Sequence, residues 1–261
     1  MKILVCVKAV PDPESLITVN DHEKWVNADP SVPLRMNRFD EFALEEALLI
    51  KQAFSPTVID VITVGSAESE PVLVRSMGMG ADHGIRIACE RNGYMSPSVV
   101  AFLIAACTKG KGYDLIFTGI MAEDDLSGQV GPMIAEHLSM PHATSVVLEK
   151  TSPEKKSVYV EREMEGGQRD CLELPLPALL TIQSGINRPR YPSLSKMLRA
   201  KAQPLELIDA GRLERREPQE EVLRVGYPQK SRSRKVLQGS RQEKVARLLG
   251  ILVERSFIKR A

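Results

Sequence analysis

Over the first 150 residues, short runs of apolar, β-branched side chains alternate with longer segments of helical period. Residues 2–7, 57–64 and 114–118 are near-continuous apolar runs, and 83–88 is a shorter one. Strands without polar alternation are those covered on both faces. Between them, residues 41–53, 70–77, 98–109 and 127–138 carry the apolar spacing of helices. Ser69 and Ser96 stand where N-caps are expected, and Pro97 is placed at the first helical position. Strand and helix in alternation predict an α/β fold, a parallel sheet flanked by helices.

After residue 142 the pattern changes. Residues 144–149, 157–163 and 170–174 are strand-like, and turn signals at 152–156 and 165–167 separate them, which predicts an antiparallel hairpin extension of the sheet. Residues 179–183 give one more strand before a segment bearing prolines and arginines, 187–195. From about residue 205 no strong period is visible until 243–257. There Val245, Leu248, Leu249, Leu252, Val253 and Phe257 fall near one helical stripe. This predicts an extended C-terminal arm that ends in an amphipathic helix.

Composition narrows the classes. Apolar residues make up 43% and charged residues 26% of the 261, ordinary for a globular chain and wrong for a disordered or collagenous one. The formal net charge is +1, so no overall excess points to nucleic acid. That total hides a division: residues 211–261 hold fourteen basic and six acidic side chains, so a basic arm follows an acidic body. The apolar run at the N-terminus is shorter than a signal-peptide core, and no stretch reaches membrane-spanning length, which places the expected location in the cytoplasm. Cys6, Cys89, Cys107 and Cys171 show no CxxC spacing and predict neither a disulfide framework nor a zinc site.

In an open parallel sheet, ligands settle beyond the carboxyl ends of the strands. Three loops fall there: 6–12, 64–66 and 118–132. In the third, glycines allow close backbone approach, and the amides of Ser127, Gly128 and Gln129 are expected to open a helix toward an anion such as a nucleotide phosphate. An empty strand–turn–helix junction is the commoner meaning of such a loop. Neither GxxxxGK[ST] nor a Rossmann glycine fingerprint is present. Asp124 and Asp125 suit ribose hydroxyls or a metal, or simply a helix cap. His22, His83, His137 and His142 lack ligand spacing, and no nucleophile has a base beside it. A nucleotide site without a catalytic constellation points to a carrier or regulatory subunit.

The motifs together resemble the β subunit of electron-transfer flavoproteins. The resemblance rests on Val5-Cys6-Val7-Lys8 with Val10-Pro11-Asp12, Met36-Asn37-Arg38-Phe39-Asp40-Glu41 and Met79-Gly80-Ala81-Asp82. It continues through residues 119–132, Val160-Glu161-Arg162-Glu163 with Gly166-Gly167, and Pro189-Arg190-Tyr191 on to Leu194 and Lys201, in family order over about residues 1–205. It implies a Rossmann-like, adenine-nucleotide-binding domain over 1–185, a partner-recognition loop over 186–205 and an arm over 206–261 that packs on a FAD-carrying α subunit. It implies a structural AMP held by Cys6, Asn37, Arg38, Phe39, Asp40, Val64, Thr118, Gly119, Ala122, Asp124, Asp125, Ser127, Gly128 and Gln129. Leu194 matches the anchor that docks into flavin dehydrogenases such as acyl-CoA dehydrogenases, with Arg190, Lys196 and Arg199 around it. Glu163 matches a glutamate that pairs with the α subunit.

By the same resemblance the chain is an electron carrier with no catalytic residue and no metal, passing electrons to a downstream acceptor such as a quinone oxidoreductase. Pro13 stands where animal β subunits place a tyrosine near the flavin. A bifurcating branch carries a second FAD in place of AMP and usually reads Asp-Gly-Asp-Thr-Ala-Gln-Val-Gly-Pro. Here Leu126 and Ser127 replace its second aspartate and its threonine, which favours AMP. A free-standing nucleotide-hydrolysing or adenylating enzyme is a third reading, opposed by Lys8-Ala9-Val10-Pro11 where a phosphate loop is expected.

Overall fold

The computed structural model describes residues 1–19, 25–26, 32–89, 94–214, 216–227 and 236–258. His22 and residues 228–235 of the expected arm lie outside the described residues. The chain divides into two compact units, Met1–Val225 and Gly226–Ala261.

The first unit is built on β1 (Lys2–Cys6), β2 (Ala9–Pro11), β3 (Leu34–Met36), α1 (Arg38–Ala53), β4 (Val58–Gly65), α2 (Glu70–Met79), β5 (His83–Ala88), α3 (Pro97–Thr108), β6 (Leu115–Gly119) and α4 (Val130–Leu138). It continues with β7 (His142–Ser152), β8 (Ser157–Glu163), β9 (Arg169–Pro175), β10 (Ala178–Ile182), α5 (Leu194–Lys201) and β11 (Leu205–Asp209). Nine strands form one sheet in the order β11-β5-β4-β1-β6-β10-β7-β8-β9, and β2 pairs with β3 in a small antiparallel ribbon. From β11 to β7 neighbouring strands are parallel, whereas β8 and β9 join antiparallel.

Period-two geometry explains how the central strands serve two cores. Ile3 and Val5 of β1 face a cluster with Leu44, Leu48 and Phe117, on the side of α1 and α2. Leu4 and Cys6 face the other cluster, with Ile104 and Ile134 of α3 and α4. Strands such as β10, buried at every position, could not sit at a wet face. The outer strand β9 instead alternates between exposed and half-buried positions, as an edge does.

The ribbon of β2 and β3 was not expected from the sequence, and four further elements depart from that expectation. Helix α1 begins at Arg38, three residues early, with Asp40 and Glu41 in its first turn. Helix α4 begins at Val130 rather than 127, because Leu126 and Gly128 take φ values of 54° and 63°, outside the right-handed helical region. The segment expected as a loop over 186–205 contains α5, capped by Ser193. The arm expected from 206 starts later, since β11 extends the sheet beside β5. Its five residues are half-exposed or exposed, so their burial signal is weak.

The second unit carries α6 (Arg241–Glu254), opened by a capping box between Ser240 and Glu243. None of its described residues is buried. Among the described residues, no helix is long and apolar enough to cross a membrane.

Candidate functional site: a cavity at the strand ends and an exposed helix

Strand order reverses around β1, with β4 on one side and β6 on the other, so the loops leaving these three strands diverge and open a crevice. A cavity of about 560 Å³ lies there, within the size range of whole-ligand pockets. All the nucleotide-site residues expected from the sequence line it except Arg38 and Phe39. Phe39 instead packs under Gly119, where any side chain on Gly119 would collide with it.

The Asn37–Asp40 turn braces the first and third of these loops. Asp40 accepts from the backbone amide of Lys8 at 2.8 Å and from that of Gly119 at 3.1 Å. Asn37 donates to the carbonyl of Met121 at 2.9 Å and accepts from the amide of Glu123 at 3.2 Å. Both side chains are buried, at 1% and 5% exposure, so these bonds replace the water each polar group lost. Burial pushes the Asp40 carboxyl up to about 7, against the donors from Lys8, Asn37 and Gly119. Their polar atoms are therefore engaged by the protein's own backbone.

Lys8 is the cation of this cavity. Its ammonium donates to Asp124 at 2.8 Å and to Asp125 at 2.9 Å. Burial works against that charge, yet the two carboxylates hold its pKa above the ordinary lysine value. Burial likewise works against Asp125, and Lys8 with the Ser127 amide pulls it below the usual carboxylate range. The described lining contains one cation, Lys8, against the acids Asp40, Glu68, Asp124 and Asp125.

The three amides expected to face a phosphate are engaged differently. The Ser127 amide donates to Asp125 at 2.9 Å, closing a local turn, so it does not point outward. The amides of Gly128 and Gln129 donate to no acceptor among the described residues, and α4 begins at once behind them. Gly128 sits at positive φ with only the Ile120 carbonyl near the place of a Cβ, a cradle that suits close approach by an anion. An adenylate phosphate fits this donor set. Among the described residues no group of His, Cys, Asp or Glu could hold a metal. Cys6 ends β1 deep in the cavity, where burial raises its thiol far above the reactive range.

The second exposed feature is α5. Leu194 is 76% exposed and Leu198, one turn on, is 62% exposed. The helix is seated from below: Met197 packs against Gly78 of α2 so closely that a Cβ there would clash. Arg190 turns toward α1, its guanidinium binding Glu45 through several contacts of 2.7–3.1 Å. Asn187 donates to Glu46 at 2.7 Å and to the Phe42 carbonyl at 3.0 Å. Lys196 and Arg199 remain exposed. Glu163 ends β8 and accepts from Gln183 at 3.1 Å, also exposed.

The model of the electron transfer flavoprotein domain matches residues 24–212. A mitochondrial electron transfer flavoprotein subunit beta of Arabidopsis thaliana is 37% identical over 209 residues, covering 79% of this chain and 80% of its own. The corresponding subunit of Bos taurus is 34% identical over 216 residues, 82% and 83% of the two chains. That of Methylophilus methylotrophus is 29% identical over 262 residues, with 97% and 98% covered. The chain belongs to the electron transfer flavoprotein β-subunit family.

Sequence reading of this family member missed three residues that shape its cavity and its exposed helix. Lys8 stands just past a buried strand, and with two aspartates available such a lysine is a signal for a partnered charge. Glu45 and Glu46 of α1 carry no local sequence signal of a partner. Only the return of residues 187–190 onto that helix shows them to be buried.

Proposed function

We propose that this chain is a non-catalytic electron-transfer subunit that pairs with a FAD-carrying α subunit, holds AMP in the strand-end cavity and docks flavin dehydrogenases through Leu194. The cavity carries this reading: its amides at Gly128 and Gln129 suit one phosphate, while its described lining is net acidic. A triphosphate would bring several negative charges toward Glu68 and toward a cation already neutralised by Asp124 and Asp125. A nucleotide of low charge, kept rather than hydrolysed, meets no such repulsion.

The FAD of the α subunit supplies the redox chemistry when bound, and AMP supplies none. The work of this chain is positioning. Asp124 is placed to exchange its Lys8 contact for ribose hydroxyls, and Gly128 and Gln129 to donate to phosphate. Leu194 is an apolar anchor for a dehydrogenase pocket, and Lys196 and Arg199 steer encounter with an acidic rim. Glu163, steadied by Gln183, is offered to the α subunit. The apolar stripe of α6, where Val245, Leu248 and Leu249 are each about half exposed, packs on that subunit too. Electrons then pass on to a downstream acceptor such as a quinone oxidoreductase, and the cytoplasm is the expected location.

A second reading keeps the family and changes the ligand. Beyond the glycine loop the cavity extends to Trp25 and Tyr94, whose ring centroids lie 5.0 Å apart, a surface on which a second FAD could stack in a bifurcating subunit. Nucleotide extraction from the purified heterodimer tests both. One AMP with one FAD supports the first reading, two FAD and no AMP support the second, and a cavity that yields no nucleotide overturns both.

A further inference from the structure

Behind the cavity wall, the N-terminus of α3 is closed in an unusual way. Ser96 and Ser98 are 2% and 3% exposed. Ser96 stands at the N-cap, where a serine hydroxyl ordinarily accepts from an amide of the first turn, yet it makes no such bond. The two hydroxyls lie 2.6 Å apart and both turn to the carboxylate of Glu220, 2.5 Å from Ser96 and 3.3 Å from Ser98. The amide of Gln219 adds a bond to Ser98 at 3.4 Å. A carboxylate over the start of a twelve-residue helix also complements its dipole.

This contact lies directly behind the cavity. Tyr94, Met95 and Pro97, which adjoin the two serines in the chain, line it, as does Val100 one turn into the helix. Burial, followed by the charges of Glu220 and Asp125, raises the Tyr94 phenol, so the Glu220 carboxylate lies within electrostatic reach of the wall. Glu220 itself comes from the far end of the unit, more than 120 residues away in sequence and shortly before the boundary at Val225.

We infer that Glu220 is a positioning residue for the nucleotide: by clamping Ser96 and Ser98 it fixes the Tyr94–Pro97 wall and couples nucleotide retention to the segment that leads into the C-terminal unit. The inference rests on the reading of the cavity as a nucleotide site. Coupling of this kind is reciprocal, so bound nucleotide must in turn hold residues 217–221 in place.

The test uses the full-length heterodimer, wild type against Glu220→Ala, Glu220→Gln and the double variant Ser96→Ala/Ser98→Ala. The rate at which bound adenine nucleotide is lost on dilution is measured, together with trypsin cleavage at Arg224 with and without added AMP. Glu220→Ala and the double serine variant are expected to lose nucleotide about tenfold faster. Glu220→Gln, which keeps an acceptor, should fall between them and wild type. AMP should slow cleavage at Arg224 in wild type and not in Glu220→Ala. Wild-type retention in Glu220→Ala, or a lowered unfolding temperature with retention unchanged, overturns the inference and leaves the cavity reading standing. A wild-type heterodimer that yields no adenine nucleotide overturns both.

Discussion

Helices α5 and α6 both show leucines to solvent, and they differ in what lies underneath. α5 has only eight residues, too few to be stable alone, but Ser193 caps it, Met197 packs on Gly78, and Arg190 and Asn187 bind its leading segment to Glu45 and Glu46 of α1. Its exposed face is thus presented by a fixed base. α6 is longer and better capped, yet no described residue of its unit is buried. A capping box stabilises a helix locally, whereas burial of an apolar stripe decides where it stays. The contrast separates an apolar face held on a fixed base from a helix whose apolar stripe stays uncovered among the described residues.

Removing residues 226–261 should have the largest effect on this contrast. We expect loss of co-purification with the α subunit and of bound flavin, read from affinity capture and the flavin absorbance. A truncated chain that still pairs and holds flavin would place α6 outside the interface. The cut belongs after Val225, because Gln219 and Glu220 pack within the first unit.

Glu45→Ala attacks the base of α5. Removing the buried Glu45 takes away the charged hydrogen bonds of a half-buried Arg190, and a loss of about 2 kcal/mol in unfolding free energy is expected by denaturant titration. Glu45→Gln, which keeps an acceptor, should lose less. An unchanged midpoint in Glu45→Ala would mean that the tether contributes little.

Leu194→Ala leaves the base intact and removes the anchor. Loss of about 2 kcal/mol at a binding hot spot corresponds to more than a tenfold fall in the second-order rate of reduction by the dehydrogenase, with heterodimer and flavin content unchanged. Wild-type rates would remove Leu194 from docking.

The smallest effect is pH dependence beside the Asn187 tether. Glu149 of β7 shares a hydrogen bond with Glu46, and Glu45, Asn187 and Thr151 complete their surroundings. Burial, then the neighbouring Glu46, pushes Glu149 up to about 7, and burial raises Glu46 as well. A carboxyl with a raised folded-state pKa binds more protons when folded, so its stabilisation is full below the unfolded value and lost as pH rises through about 7. Asp40 adds to the same trend. The unfolding temperature should therefore decline from pH 5 to pH 8, with a shallower slope in Glu149→Gln. Equal slopes would show that the pair does not titrate in this window.

Much of the body was legible because buried strands declare themselves by composition: the KILVC and VIDVITVG runs have no solvent face to accommodate. The hairpins followed from turn chemistry at 152–156 and 165–167. The strand β11 and the helix α5 were not legible, since both are short and largely exposed and depend on β5 and α2 for support. In the site, the three loops could be placed by the rule for parallel sheets. The roles within them could not: Asp40 and Asn37 brace backbone, and Ser127 closes a turn.

Local pattern and composition alone determined the α/β class, the position of the cavity at the strand ends and the division between acidic body and basic tail. These follow from burial and from backbone geometry, which act residue by residue. Only the tertiary structure decided which charges are neutralised and by what. Lys8 meets Asp124 across 116 residues, Arg190 meets Glu45 across 145, and Ser96 meets Glu220 across 124. An isolated charge in a sequence reads as solvated, and whether it is buried and partnered depends on which distant segment the fold brings against it.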